Sequence, residues 1–218
     1  LKRVCHAMEI SINEYLVSVY IWSVYTECLH GMPSKCPIRV AVPVNLRPYF
    51  NSITTKNFFV MVSAEFHPTK ETYTFAEVAE IVKESLRSQI NRENLEKLFS
   101  YNVSNEKLLI ARVVPLFLKN LAMKYVYTTS ALANTATITN IGNISVTEEY
   151  RPYVEMFHAF LAMSKGQHLK GTICSYGDTL VFSFSYDLVD ASVQRGFFRK
   201  IASDGIAVEI KSNGVNYE

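Results

Sequence analysis

The chain has 218 residues, 49% of them hydrophobic and 12% aromatic, with a formal net charge of +2. That is enough apolar material to bury one full core, so a disordered or fibrous chain is excluded. No basic block interleaves with aromatic residues, and neither nucleic acid nor a membrane is expected as a partner.

Cys5, Cys28, Cys36 and Cys174 show neither Cys-x-x-Cys spacing nor the density of a secreted disulfide scaffold. They read as reduced thiols in a cytoplasmic protein. The chain opens at Leu1, with no initiator Met and no signal-peptide pattern, directly in a helical pattern. It is therefore expected to begin inside a longer protein.

Leu1 to Met8 reads as the end of a helix. Ser11 and Glu14 then form a capping box, and Ile12, Tyr15, Leu16, Val19 and Trp22 recur at helical spacing on one face, which predicts a helix to about Leu29 lying against a sheet. Gly31 to Pro37 turns into the β-branched run Ile38–Val44. Val40, Val42 and Val44 share one face, Pro43 removes a ladder donor, and Pro48 should hold Arg47 extended. The run ends in the polar corner Asn45-Leu46-Arg47-Pro48. Arg47 beside Asn45 reads as a structural brace, with an anion contact as the alternative.

Asn57 to Phe66 alternates with both faces largely apolar, which predicts a central strand. Thr74 and Glu77 form a second capping box, ahead of a helix carrying Phe75, Val78, Val82, Leu86 and Ile90 and ending near Asn91. Asn94 to Asn105 looks like a short polar helix and Leu108 to Tyr127 a long apolar one. Arg112, Lys119, Asn120 and Lys124 interrupt the latter and Pro115 should kink it, so it reads as a helix packed on protein rather than a membrane span.

Thr135 to Asn140 alternates threonines with small or apolar residues and breaks at Ile141-Gly142-Asn143. It is either a half-exposed strand or the wall of a polar cleft, with Thr137 and Thr139 on the wall and Asn140 and Gly142 at its lip. Val154 to Met163 reads as another strand, in which His158 is a packed core residue rather than a base. Leu169–Tyr176 and Leu180–Leu188 flank Gly177-Asp178, a hairpin signal, with Leu180, Phe182, Phe184 and Tyr186 inward and Ser183 and Ser185 outward. Asp190 should cap a helix carrying Val193, Phe197 and Ile201, stopped by Gly205 before a last strand, Ile206 to Ile210. The tail from Ser212 should fray.

No repeat or linker divides the pattern, so residues 1–218 are expected to form one domain, a two-layer α/β sandwich with a mixed β-sheet. There is no Gly-x-Ser-x-Gly, no Gly-rich phosphate loop, no His-Glu-x-x-His and no metal-spaced pair of His or Cys. His6, His30, His67, His158 and His168 are scattered singly. The residues alone assign no catalytic group and no metal site.

Four stretches in consistent order nevertheless carry a resemblance: Ile10-Ser11-Ile12-Asn13-Glu14-Tyr15-Leu16, Val42-Pro43-Val44-Asn45-Leu46-Arg47-Pro48, Thr139-Asn140-Ile141-Gly142, and Phe184-Ser185-Tyr186-Asp187-Leu188-Val189-Asp190. Together they resemble the C-terminal half of the chloramphenicol-acetyltransferase-like superfamily, which includes CoA-dependent alcohol acetyltransferases and peptide-synthetase condensation domains. The resemblance implies a half-domain facing an N-terminal half of the same protein across a substrate tunnel. It also implies that a His-His-x-x-x-Asp-Gly motif in that other half supplies the base that deprotonates an alcohol or amine for attack on a thioester.

This sequence has no adjacent histidines, so no catalytic residue carries over. Thr139, Asn140 and Gly142 match the segment bordering the tunnel, and Asn45 and Arg47 match a structural corner. The Asp-Phe-Gly-Trp-Gly signature of the plant branch is absent, which argues for bacterial or fungal-like branches. A coenzyme A thioester is expected as co-substrate of the parent protein, with no covalent cofactor. The alternatives are a condensation domain taking carrier-protein thioesters and a non-catalytic module that self-associates through exposed sheet surface.

Overall fold

The computed structural model describes residues 1–107, 114–164 and 166–213, the side chains of 102–107 and 130–132 excepted. A short helix, α1 (Lys2–Ala7), leads into α2 (Ile12–Glu27). Ser11 Oγ accepts the Glu14 N–H at 3.1 Å while the Glu14 carboxylate accepts the Ser11 N–H at 2.7 Å, so two otherwise orphaned donors fix where α2 starts.

Among the described residues, five strands form one mixed sheet in the order β2-β1-β3-β4-β5. These are β1 (Ile38–Asn45), β2 (Phe59–Phe66), β3 (Ala136–Asn143), β4 (Leu169–Tyr176) and β5 (Thr179–Tyr186). The β1–β3 and β3–β4 pairs are parallel, and the outer pairs are antiparallel. Between them lie α3 (Arg47–Phe50), α4 (Phe75–Gln89), α5 (Arg92–Lys107) and α6 (Leu116–Leu132), with α7 (Ser192–Ser203) after β5.

The expected two-layer sandwich is present. Helix α2 packs on the sheet between α4 and α7, over a core that includes Val40, Val42, Val62, Phe66, Ile138 and Ile173. The expectation of a single apolar face on α2 is corrected by this placement. Tyr15 through Ile21 are buried without a break, because a helix flanked on three sides must be apolar almost all round. Its buried hydroxyls are satisfied internally, Ser18 donating to the Glu14 carbonyl and Ser23 to the Val19 carbonyl.

Helix α4 starts at the Thr74–Glu77 capping box and buries Val78, Val82 and Leu86 as expected. Strand β2, expected to be central, is an edge strand. It tolerates an apolar outer row because α4 covers that edge: Gln89 Oε1 accepts the Ser63 N–H, Gln89 Nε2 donates to the Ser63 carbonyl, and Ser85 Oγ accepts the Glu65 N–H. Further along, Phe59 (48% exposed) and Met61 (44%) face solvent.

The predicted polar helix at 94–105 is α5, longer at both ends. Of the predicted apolar helix, residues 108–113 lie outside the described residues, and α6 begins just after Pro115, whose carbonyl accepts the Leu118 and Lys119 N–H groups. Pro115 thus stands just before α6, where its missing N–H costs nothing, and the residues an expected kink would join to it lie outside the described ones. The expectation that this helix packs on protein is also corrected: Phe117 is 70% exposed and Leu121 68%. No described helix is long and apolar enough to cross a membrane.

Residues 154–163 form no strand. Both neighbour positions of β4 are taken by β3 and β5, so this segment instead lies across the sheet face away from α2, its Phe157 and Ala162 carbonyls accepting from Cys174 Sγ at 3.1 Å and Lys170 Nζ at 2.8 Å on β4. The Gly177-Asp178 hairpin forms as expected, and Phe182 and Phe184 pack on Phe197 of α7. Asp190 Oδ1 accepts the Ser192 N–H at the start of α7, whose Val193, Phe197 and Ile201 are buried. At its end Gly205 takes φ +76°, and bonds from Gly205 and Ile206 back to Ala202 and Ile201 close the last turn. The chain then runs on without pairing, so the expected strand at Ile206–Ile210 is absent. The expected fraying falls largely on 214–218, outside the described residues.

Candidate functional site

Strands β1 and β3 pair only through Val40–Ala136 and Ala41–Thr137. Beyond that point their carboxyl halves have no ladder partners across the gap, and Pro43 supplies a reason. Backbone groups alternate sides along a strand. The Arg39 carbonyl accepts the Thr135 N–H on the β3 side at 2.8 Å, and the Leu46 N–H donates to the Phe58 carbonyl on the β2 side at 3.0 Å. Residue 43 therefore faces β3 and, being proline, has no N–H to give it.

On the other wall, β3 is irregular where its register with β4 shifts between Asn140 and Gly142. Gly142 sits at φ +87°, a region open to glycine, and its N–H donates to Asn140 Oδ1 at 2.9 Å. The chain leaves β1 towards β2 and β3 towards β4. Such a divergence of adjacent strands at their carboxyl ends is where open α/β sheets form ligand crevices.

The two threonines of β3 lie together on the sheet face away from α2. Thr137 is half-buried, its hydroxyl donating to Gln167 Oε1 at 3.3 Å, and register places Thr137 beside Lys170 and Thr139 beside Thr172. Lys170 is itself buried, its ammonium donating to the Ala162 carbonyl and the Ser164 hydroxyl. Asn140 belongs to the opposite face by register, and its amide oxygen is committed to the bulge. Of the four tunnel candidates, Thr137 and Thr139 thus share one sheet face, and Asn140 and Gly142 make a bulge.

At the end of β1, Arg47 donates through Nε to the Thr54 carbonyl at 2.8 Å, through Nη2 to the Lys56 carbonyl at 2.6 Å and through Nη1 to Asn45 Oδ1 at 3.2 Å. Asn45 Oδ1 also accepts the Arg47 N–H at 3.1 Å. The corner differs from the expected extended form: Leu46 is already helical and Arg47 opens the short α3, with Pro48 in its first turn, where a missing N–H costs nothing.

The expectation of a core position for His158 is overturned. It is exposed on the crossing segment and stacks on Phe160, with 6.5 Å between ring centroids. Sequence reading missed a pairing of His168, whose Nδ1 lies 3.0 Å from Asp187 Oδ1. The β4–β5 register sets them opposite each other, at equal distance back from the Gly177-Asp178 turn. Among the described residues no histidine is hydrogen-bonded to Thr137 or Thr139, and no cluster of three or more His, Cys, Asp or Glu could hold a metal ion. The arrangement can bind and orient a polar group, but it offers these hydroxyls no base.

No protein-family model matches the sequence, and no curated protein matches it. Among solved structures, the chain is similar to the epimerization domain from the third module of tyrocidine synthetase B, with a TM-score of 0.53 at 11% identity over 92% of this chain and 43% of that one. The chain has the fold of a chloramphenicol-acetyltransferase-like half-domain. It is also similar to the wax ester synthase/diacylglycerol acyltransferase from Marinobacter aquaeolei VT8 (14% identity, TM-score 0.48, 94% of this chain and 46% of that one). A third similarity is to a structure of condensation domain-mediated chain release from the enacyloxin polyketide synthase (10% identity, TM-score 0.46, 98% and 41%). The chain spans less than half the length of each of these three structures, and at such identities the likeness is one of fold.

Proposed function

We propose that this chain is the C-terminal half of an acyltransferase that moves an acyl group from a thioester, acyl-CoA, to an alcohol, and that it forms one wall of the substrate tunnel. The observation that supports this reading is the end of β1–β3 pairing after Ala41–Thr137, beside the half-buried Thr137 and Thr139, in a chain that matches under half the length of a similar domain. Thr137 and Thr139 would line the acceptor path, and the Asn45–Arg47 corner would hold the crevice mouth in shape. The base and the facing wall come from the N-terminal half of the same protein, and no catalytic role falls to a residue of this chain. Its four free cysteines suit a reducing cytoplasm.

The test incubates the purified chain with acetyl-CoA and a panel of alcohols and amines while free thiol release is followed. The chain alone should release none, because both the base and the positioning that can contribute on the order of 7 kcal/mol are missing. Release that appears on adding the N-terminal half supports the proposal. Enzyme-dependent release from the chain alone that vanishes in His158→Ala refutes it.

A condensation reading is the second one, and what supports it is only a fold shared with the epimerization domain of tyrocidine synthetase B. Release from an acyl carrier-protein thioester, with none from acetyl-CoA, would select it. A non-catalytic interaction module draws support from the exposed apolar surface of α6, and would be selected if the reunited halves release thiol from neither donor.

A further inference from the structure

A second cavity lies at the other end of the sheet. Where β1, β3 and β4 begin, a cleft of about 550 Å³ opens beside the last turns of α2 and the start of α7, a size that suits a small organic ligand. Val24, Leu169, Leu188 and Val193 give it apolar walls.

Tyr20 lines the same cleft and is only 1% exposed. Its ring packs against Phe184, 6.4 Å between centroids, yet among the described residues its hydroxyl has no hydrogen-bond partner. Among the described residues the buried side-chain polar atoms without a partner are Asn13 Oδ1 and Gln194 Nε2, so the Tyr20 hydroxyl is open to the cleft rather than sealed. Burial, followed by the neighbouring Cys28, pushes this phenol above its ordinary value, so it remains an O–H donor with nothing to receive the proton.

Charge at the rim is already balanced. Arg39 is held by Glu65 at 2.7 Å, and His168 is paired with Asp187. Asp190 and Glu27 lie close enough to Cys28 to add to the rise that burial causes in its thiol, which disfavours anions, but neither carboxylate lines the cleft, so a desolvated cation finds no direct partner there either.

We propose that this cleft is a binding site for a small, uncharged, largely apolar molecule whose carbonyl oxygen accepts the Tyr20 hydroxyl. The apolar walls take the body of the ligand, and the Tyr20 hydroxyl, open to the cleft, fixes its orientation. The site sits at the amino ends of the parallel strands, away from the crevice at their carboxyl ends, and stands whether or not the acyltransferase reading holds.

Cys28 and Cys36 line the cleft and are exposed, so their alkylation by iodoacetamide, mapped by mass spectrometry, reports occupancy. The probe is N-benzylacetamide, with benzylamine and phenylacetate as charged analogues of similar shape. N-benzylacetamide should slow labelling of Cys28 saturably, and the two charged analogues should not. Tyr20→Phe keeps the ring contact and removes only the donor, and should weaken protection roughly threefold to tenfold. Leu188→Asp, at a more exposed wall position, should abolish it. Labelling unaffected by N-benzylacetamide, equal protection by the charged analogues, or unchanged protection in either variant would overturn the proposal.

Discussion

Replacing Arg47 by Ala separates the two roles open to that residue. Its guanidinium links the end of β1 to the segment before β2 through the Thr54 and Lys56 carbonyls and also engages Asn45. A bond from a charged donor contributes more than a neutral one, but Lys56 and Asn45 are exposed and water can replace part of what is lost. The expected cost is therefore about 1–3 kcal/mol rather than the sum of three full charged bonds. In urea, with a slope of roughly 2 kcal/mol per molar, the midpoint should fall by about 0.5–1.5 M. Trp22, the single tryptophan, packs between Tyr25 and Phe75 and gives the fluorescence signal. Arg47→Lys should recover little, because one ammonium cannot span both carbonyls in the fork geometry of arginine. An unchanged midpoint together with lost acyl-CoA binding by the full-length parent would make Arg47 an anion contact and refute the brace.

Other perturbations follow from the packing and charge of the same molecule. Gly171→Ala puts a methyl group 2.7 Å from the Phe182 ring and 3.2 Å from Ile138 Cγ1. Phe197 and Phe184 hem that ring in, at 4.4 and 4.8 Å between centroids, so about 1–3 kcal/mol should be lost in urea titration, and equal or greater stability would show that the ring yields freely. Burial alone would raise the Glu14 carboxyl, but bonds from Arg87 and Ser11 bring it below its ordinary 4.5. Its contribution is thus present above that value and fades as pH falls through the lowered one, and Glu14→Gln should flatten urea midpoints across that acidic window. For α6, light scattering should show a mass that rises with concentration, reduced in the double variant Phe117→Asp, Leu121→Asp; a strictly monomeric chain would count against self-association.

Local signals were legible wherever a few neighbouring residues decide the outcome. Both capping boxes, the Gly177-Asp178 turn and the Gly205 stop are decided within a turn or two of chain, and each stands where its residues predict. What failed was inference from burial to position. Phe59 and Met61 made β2 look central, but a strand covered along its edge by Gln89 and Ser85 can carry the same composition as one between two neighbours. The segment 154–163 is apolar on both faces like a buried strand, yet it meets β4 through carbonyls that accept from the Lys170 and Cys174 side chains, because the ladder positions beside β4 are already filled.

The candidate site shows the same division between local chemistry and strand order. Pro43 announced a missing donor in the sequence, but whether that gap faces β2 or β3 depends on which strands flank β1, and composition is silent on that. Once the order is β2-β1-β3, alternation along β1 turns Pro43 towards β3, and the pairing there stops after Ala41–Thr137. The threonine run then acquires its meaning. Thr137 and Thr139 are half-buried residues of the central strand of the sheet, next to the point where its pairing with β1 stops.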